Sequence, residues 1–269
     1  MTPTDASSIK ACCAASYQSD LVALILGDSY HPGGSALTRR LADALRITGG
    51  QRVLDVASGP GSTALLLAAD YGATVEGVDL GEATVDTANR RARELGFAGL
   101  AGEADARVSF RVGDAERLPV ADASVDAVLS ECALCTFPDK ATALREMTRV
   151  VRAGGRVGIT DVTMDPDRLD PELADLAGWI ACLSDARPLE GYEDLLTAAG
   201  LSVEVTERHD AALERMIDLI DARITALAMT GTPALAGIDV EAVRRRVRAA
   251  KAAVADGVAG YALLVAVKA

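Results

Sequence analysis

Five short apolar runs, separated by stretches with helical spacing, constrain this chain more than any other feature. They are RVLDV (52–56), TVEGVDL (74–80), RVSFRVGD (107–114), VDAVLSE (125–131) and RVGITDV (156–162). Runs of this length, rich in β-branched residues, fill parallel strands covered on both faces. Between 139 and 152, Leu144, Met147, Val150 and Val151 share one helical face, and that helix is expected to stop at Gly154-Gly155, where a left-handed cap is allowed. Strands alternating with such helices predict a doubly wound α/β fold. The rhythm changes in the tail. SVEVTERHD (202–210) reads as a strand, LERMIDLIDARITAL (213–227) as a helix and YALLVAVKA (261–269) as a last strand, so the two late strands are expected to pair as an antiparallel edge.

A chain of 269 residues, 50% hydrophobic, can bury a large core. Its formal net charge of -12 opposes binding to nucleic acid, which needs clustered Lys and Arg. The longest apolar stretches, such as LVALIL (21–26), are too short to cross a bilayer, so no membrane association and a cytoplasmic location are expected. Five cysteines, an odd number, point to reduced thiols available as ligands or nucleophiles. No feature specifies an oligomeric state.

The glycine-rich VLDVASGPGSTALLLA (53–68) follows the first strand and opens a helix. Gly59 and Gly61 remove side chains where a ligand would approach the backbone, and the helix start offers unpaired N–H groups. Asp79 ends the second strand 18 residues after Gly61 (79 minus 61), where a carboxylate can accept both hydroxyls of a ribose. Asp114, at the end of the third strand, is well placed to accept from an adenine amino group. A nicotinamide dehydrogenase competes for the same glycines, but it prefers the denser G-x-G-x-x-G, and here Ala64 stands in the third glycine's place.

With these features in register, residues 50–165 resemble the class I S-adenosylmethionine-dependent methyltransferases. The resemblance implies a seven-stranded sheet with an antiparallel last strand and S-adenosylmethionine as cofactor. It assigns Asp55 and the loop through Ser58 and Gly59 to Gly61 to the methionine part, Asp79 and Leu80 to the ribose, and Asp114 with Ala115 to the adenine, with Ser130 alongside. The family's first motif glycine is Ala57 here, so its φ is expected to be negative. The division that follows is an N-terminal lid (1–45), a cofactor-binding core (46–165) and a substrate-covering segment with late helices and strands (166–269).

Three cysteine-bearing stretches, IKACCAASY, SECALCTFPDK and LAGWIACLSD, resemble the arsenite methyltransferases. Carried over by position, trivalent arsenic would be the substrate, held by Cys132, Cys182 and one of Cys12 or Cys13, with a thiol reductant as partner; Lys140 follows Cys132 as in the family. Soft thiolates suit a soft metalloid, and its lone pair needs no base to attack a methyl group. The sulfonium and a nearby helix start are expected to lower the thiol pKa. Cys135 reads as packing. Structural zinc is disfavoured because the other close cysteines, Cys12 and Cys13, are adjacent.

The competing reading is a small-molecule O-, N- or C-methyltransferase, which for a hydroxyl needs a base from Asp28, His31, Glu131 or Asp161. A non-catalytic cofactor-binding sensor is a third. Trp179 and Tyr192, near Cys182, are candidates for substrate contact or for the core. The basic run from Arg244 to Lys251 reads as a solvated helix face, because Val243, Val247, Ala250 and Val254 supply its apolar side.

Overall fold

The computed structural model describes residues 10, 24–25, 30–98, 107–169, 173, 185–230 and 239–269. In chain order the elements are α1 (Gly34–Ala44), β1 (Arg52–Val56), α2 (Ser62–Asp70), β2 (Thr74–Asp79), α3 (Glu82–Glu94), β3 (Val108–Val112), β4 (Val125–Glu131), α4 (Lys140–Val150), β5 (Val151–Met164), α5 (Leu189–Ala198), β6 (Leu201–Arg208), α6 (Asp210–Thr230), α7 (Val240–Ala255) and β7 (Ala259–Lys268). They build a seven-stranded sheet in the order β3-β2-β1-β4-β5-β7-β6. The pairs β1·β2, β1·β4, β2·β3 and β4·β5 are parallel, while β7 runs antiparallel to both β5 and β6. The late strands thus form the expected antiparallel edge, with β7 inserted between β5 and β6. No helix among the described residues is long and apolar enough to cross a membrane.

Both faces of the sheet are covered, which is why neighbouring positions of its central strands are apolar. Leu54, Val56, Val128 and Ile159 belong to one core cluster and Val53, Ala127 and Leu129 to the other. α1 lies against β5: a Cβ at Gly158 would meet Leu41 at 2.8 Å and Leu45 at 3.0 Å, so glycine lets the helix sit down on the strand. Leu41 is fully buried there, so residues 34–44 are part of the core layer. α6 and α7 pack against each other and against β7.

One boundary departs from the sequence expectation. The helix predicted to run to Gly154-Gly155 ends at Val150, and the chain passes directly into β5. The β4–β5 register jumps between Val125↔Val151 and Ala127↔Arg156, so the glycines occupy a bulge in the strand. Gly154 takes φ 71 there, and a Cβ at Gly155 would lie 2.6 Å from the Asp126 carbonyl. Helix periodicity does not reveal a bulge, because pairing with a distant strand creates it.

Candidate active site

The C-terminal ends of β1, β2 and β4, together with the turn after β3, open on a cavity of about 530 Å³. At the end of β1 the chain turns so sharply that the N–H groups of Ala57 and Ser58 both donate to the Val78 carbonyl, at 2.8 and 3.1 Å. This double bond to one acceptor puts Ala57 at φ 60, contrary to the expected negative φ. The left-handed region costs a residue with a Cβ about 1–2 kcal/mol, and tertiary hydrogen bonds hold it there.

The two glycines of the loop do different jobs. A Cβ at Gly59 would meet no atom within 4 Å, so its bare backbone faces the cavity. Gly61 does not line the cavity, and the expectation that it serves ligand approach is corrected: its missing side chain makes room for Phe110, whose ring would lie 2.5 Å from an added Cβ. At φ 85 it also caps the start of α2.

Asp79 closes β2 with both oxygens engaged, Oδ2 accepting from Gly59 N and Oδ1 from Gly81 N, each at 2.9 Å. Burial raises its pKa, opposed by these N–H groups. Asp114 stands just past β3, in a turn, and accepts from Glu116 N at 2.9 Å and Lys10 Nζ at 2.8 Å. Its own burial is outweighed by the Lys10 ammonium, which holds the carboxyl below its usual range. Leu80 and Ala115 line the cavity beside these two carboxylates. Ser130 does not: its hydroxyl donates to the Val56 carbonyl at 3.0 Å, tying β4 to β1 inside the protein.

Asp55 is buried, and burial, followed by the charges of Glu131 and Asp79, pushes its pKa well up. Its Oδ2 has no hydrogen-bond partner, and neither does the buried Ser58 Oγ. Both residues line the cavity. An unpartnered buried polar atom is costly unless something satisfies it. A ligand with an ammonium group and hydroxyls, bound along Asp55, Ser58, Gly59 and Asp79, would do so, which is the donor set S-adenosylmethionine presents. The residues fit that cofactor.

At the other end of the cavity, Glu131 closes β4. Its Oε2 accepts from Thr63 Oγ1 at 2.6 Å, and Thr38 Oγ1 lies 3.2 and 3.1 Å from its two oxygens. His31 Nε2 stands 3.6 Å from Glu131 Oε2 and 3.3 Å from the Thr38 hydroxyl. His31 Nδ1 lies 3.2 Å from the Pro32 carbonyl, so each ring nitrogen faces a group that accepts, Nδ1 the carbonyl and Nε2 the Glu131 carboxylate. Two of the four sequence-nominated bases therefore meet; Asp28 lies outside the described residues. The fourth, Asp161, is buried and accepts from the N–H groups of Cys135 at 2.9 Å and Val162 at 2.7 Å, so it organises the interior. Thr38 and Thr63 were not singled out by sequence reasoning. A hydroxyl one residue into a helix carries no signal of what it will face.

Cys132 also lines the cavity, at φ 53, its N–H donating to the Thr160 carbonyl at 2.6 Å. Burial above all, then the Asp161 carboxylate, drives its thiol pKa up, against contact with the Tyr261 hydroxyl. The chain's own groups thus act against the expected lowering, which called on the sulfonium. A single 3-10 turn (Leu134–Thr136) follows Cys132, and the helix proper begins only at Lys140. Cys135 is buried in the core beneath. Cys12, Cys13, Cys182 and Trp179 lie outside the described residues. Tyr192 is fully buried and donates to the Val162 carbonyl at 3.1 Å. Lys140 ties the post-β4 loop together, donating to the Cys135 and Phe137 carbonyls at 3.0 Å and to Asp185 at 2.7 Å. Among the described residues, no cluster of three or more His, Cys, Asp or Glu is arranged to hold a metal ion.

Residues 54–159 match the family model described as a methyltransferase domain. The chain is 35% identical over 184 residues to the methyltransferase GfsG of Streptomyces halstedii, a match spanning 67% of this chain and 63% of that protein. It is 32% identical over 207 residues to the 27-O-demethylrifamycin SV methyltransferase of Amycolatopsis mediterranei, covering 70% of this chain and 72% of that one. An arsenite methyltransferase of Halobacterium salinarum is 32% identical over 60% of this chain but only 40% of its own length. In three dimensions, the geranyl diphosphate C-methyltransferase of Streptomyces coelicolor superposes with a TM-score of 0.74 over 99% of this chain and 100% of that one, at 19% identity. Sheet order, loop geometry and these matches agree: the chain belongs to the class I S-adenosylmethionine-dependent methyltransferases.

Proposed function

We propose that this methyltransferase acts on a hydroxyl group of a small organic molecule, with His31 as general base. The observation that carries this reading is the approach of His31 Nε2 to the Glu131 carboxylate, at 3.6 Å, inside the cavity that Asp55, Asp79 and Asp114 also line. The cofactor supplies an electrophilic methyl group on a positively charged sulfur. A hydroxyl is a poor nucleophile until its proton leaves, and in the tautomer protonated on Nδ1 His31 takes it at Nε2. The imidazolium so formed faces Glu131, whose negative charge stabilises it, while Nδ1–H on the Pro32 carbonyl keeps the ring oriented. Thr63 and Thr38 keep the Glu131 oxygens in place. The reaction then depends on bringing the acceptor oxygen into line, and orientation of this kind supplies up to about 7–11 kcal/mol in favourable systems. The rifamycin relative, named for transfer to an oxygen, supports the same class of acceptor.

Methylation of trivalent arsenic is the second reading, supported by Cys132 on the cavity wall and by the arsenite methyltransferase relative. It requires two further thiols from Cys12, Cys13 and Cys182, a thiol reductant, and ionisation of a Cys132 thiol that its surroundings hold protonated. Formation of S-adenosylhomocysteine, measured with a panel of hydroxyl compounds and with arsenite plus thiol, separates the two. His31→Ala is expected to lower hydroxyl-directed kcat/KM by about 10²–10⁴, whereas Cys132→Ser leaves it within about threefold, the span of a surface-scale perturbation. Turnover of arsenite that disappears in Cys132→Ser and persists in His31→Ala would replace the first reading with the second.

A further inference from the structure

The charge balance of the cavity narrows the acceptor further. Five carboxyl groups line it, those of Asp55, Asp79 and Asp114 at the end proposed for the cofactor and those of Glu116 and Glu131 beyond, against two groups able to carry positive charge, Lys10 and His31. Both are already engaged. Lys10 Nζ lies 2.8 Å from Asp114 and also bonds Glu116, and the two carboxylates outweigh burial to hold its pKa up. His31 faces Glu131. Three further cations stand just outside the lining: Arg91 donates to the Pro60 carbonyl at 3.1 Å and the Ser62 hydroxyl at 3.4 Å, Arg117 acts on Asp114 from a distance, and Lys140 is engaged by the Cys135 and Phe137 carbonyls and Asp185.

The sequence closes the remaining route. Residues 1–9, 11–23, 26–29, 99–106, 170–172, 174–184 and 231–238, the ones outside the described set, contain no Lys, Arg or His. Whatever path they take, they bring no cationic side chain to the site. A phosphate, sulfate or carboxylate on an acceptor is held most strongly by such a partner, because charge-assisted bonds to Arg or Lys offset its lost hydration. At the acceptor end it would face the Glu131 carboxylate instead.

We infer that the methyl acceptor carries no anionic group: the site takes uncharged or cationic compounds and rejects phosphorylated, sulfated and carboxylated ones. Combined with the hydroxyl-directed reading, on which the acceptor class rests, this specifies neutral or cationic alcohols and phenols. The charge selection itself follows from the cavity and stands apart from His31 as base.

Cys132 provides a probe that needs no turnover. The full chain is treated with three methanethiosulfonates of similar size, bearing a trimethylammonium, a neutral or a sulfonate group, and labelling of Cys132 is followed by peptide mass spectrometry. Rates are normalised to those with free cysteine. The sulfonate is expected to react at least about tenfold more slowly than the neutral reagent, the size of one unscreened like charge nearby, and Glu131→Gln should narrow the gap. Should the thiol prove too slow with all three, Thr136→Cys in a Cys132→Ser background places a second reporter on the same wall. Equal normalised rates for sulfonate and neutral reagents at either reporter would overturn the inference while leaving the hydroxyl reading intact. Loss of the His31→Ala effect on turnover would do the reverse.

Discussion

The two ends of the cavity are built on different principles. At the proposed cofactor end, the carboxylates of Asp79 and Asp114 are held by backbone N–H groups of Gly59, Gly81 and Glu116 at the mouths of β1, β2 and β3, with the Lys10 ammonium added at Asp114 alone. At the acceptor end, Glu131 on β4 is held by the side chains of Thr63 on α2 and Thr38 on α1, the latter 93 residues away. The first arrangement follows from sheet register and loop conformation. The second exists only because α1 and α2 pack where they do. A scaffold of main-chain contacts suits a cofactor whose shape never changes, whereas a side-chain network can be altered residue by residue without disturbing the sheet.

Mutations should therefore separate the two ends. The largest effect is expected from Asp79→Ala, which removes the acceptor of two loop N–H bonds and the proposed ribose partner. S-adenosylmethionine Kd, read by calorimetry, should rise about 100-fold, or about 2.7 kcal/mol, the loss of one or two charge-assisted hydrogen bonds. Unchanged affinity would mean that the cofactor lies elsewhere. At the other end, Thr63→Val deprives Glu131 of its shortest hydrogen bond. A fall in kcat/KM of about tenfold is expected, one charged hydrogen bond, with Kd for the cofactor unchanged; equal losses in both would erase the distinction between the ends.

Two smaller effects concern stability. Ala57→Gly relieves the positive φ while loosening the unfolded chain, so a net gain of about 0.5–1 kcal/mol, or about 2–4 °C in Tm, is expected. A loss would mean that the Ala57 methyl group packs usefully enough to outweigh its strain. Asp55 provides a pH signature. Its folded pKa lies above its unfolded value of about 3.9, so the native state keeps a proton that the unfolded chain has released. The stability linked to it is complete below that unfolded value and is lost as pH rises through the folded pKa. Urea unfolding across this range should show a downward slope in the wild type that is shallower in Asp55→Asn. Saturating S-adenosylmethionine, whose cationic groups would offset the buried charge, should flatten it too.

The gathering of Asp55, Asp79 and Asp114 at one end of the cavity was legible in the sequence, and the other end only as separate candidates. Asp79 could be placed because a strand ending in a carboxylate, at a set distance from a glycine loop, is a local pattern. Ser130 lay in the same strand-end region, yet its hydroxyl turned out to be spent on the Val56 carbonyl. Alternation along a strand says that a residue is inside, not which neighbour it meets. His31 and Glu131 each stood out as possible bases, but nothing in their local sequence links residues 100 positions apart (131 minus 31). Gly61 shows the converse, since its glycine was recognised as necessary for the wrong reason; Phe110 is what requires it.

The sequence by itself determined the layered α/β sheet, the antiparallel edge and the line of carboxylates at the strand ends, because each is written in periodicity and spacing over a few residues. Only the tertiary structure decided that Ala57 and Cys132 take left-handed backbone, that the Cys132 thiol is held protonated, and that a histidine meets a glutamate beside it. Those outcomes depend on hydrogen bonds, burial and charges contributed by distant elements, and such energies arise only once the chain has brought them together.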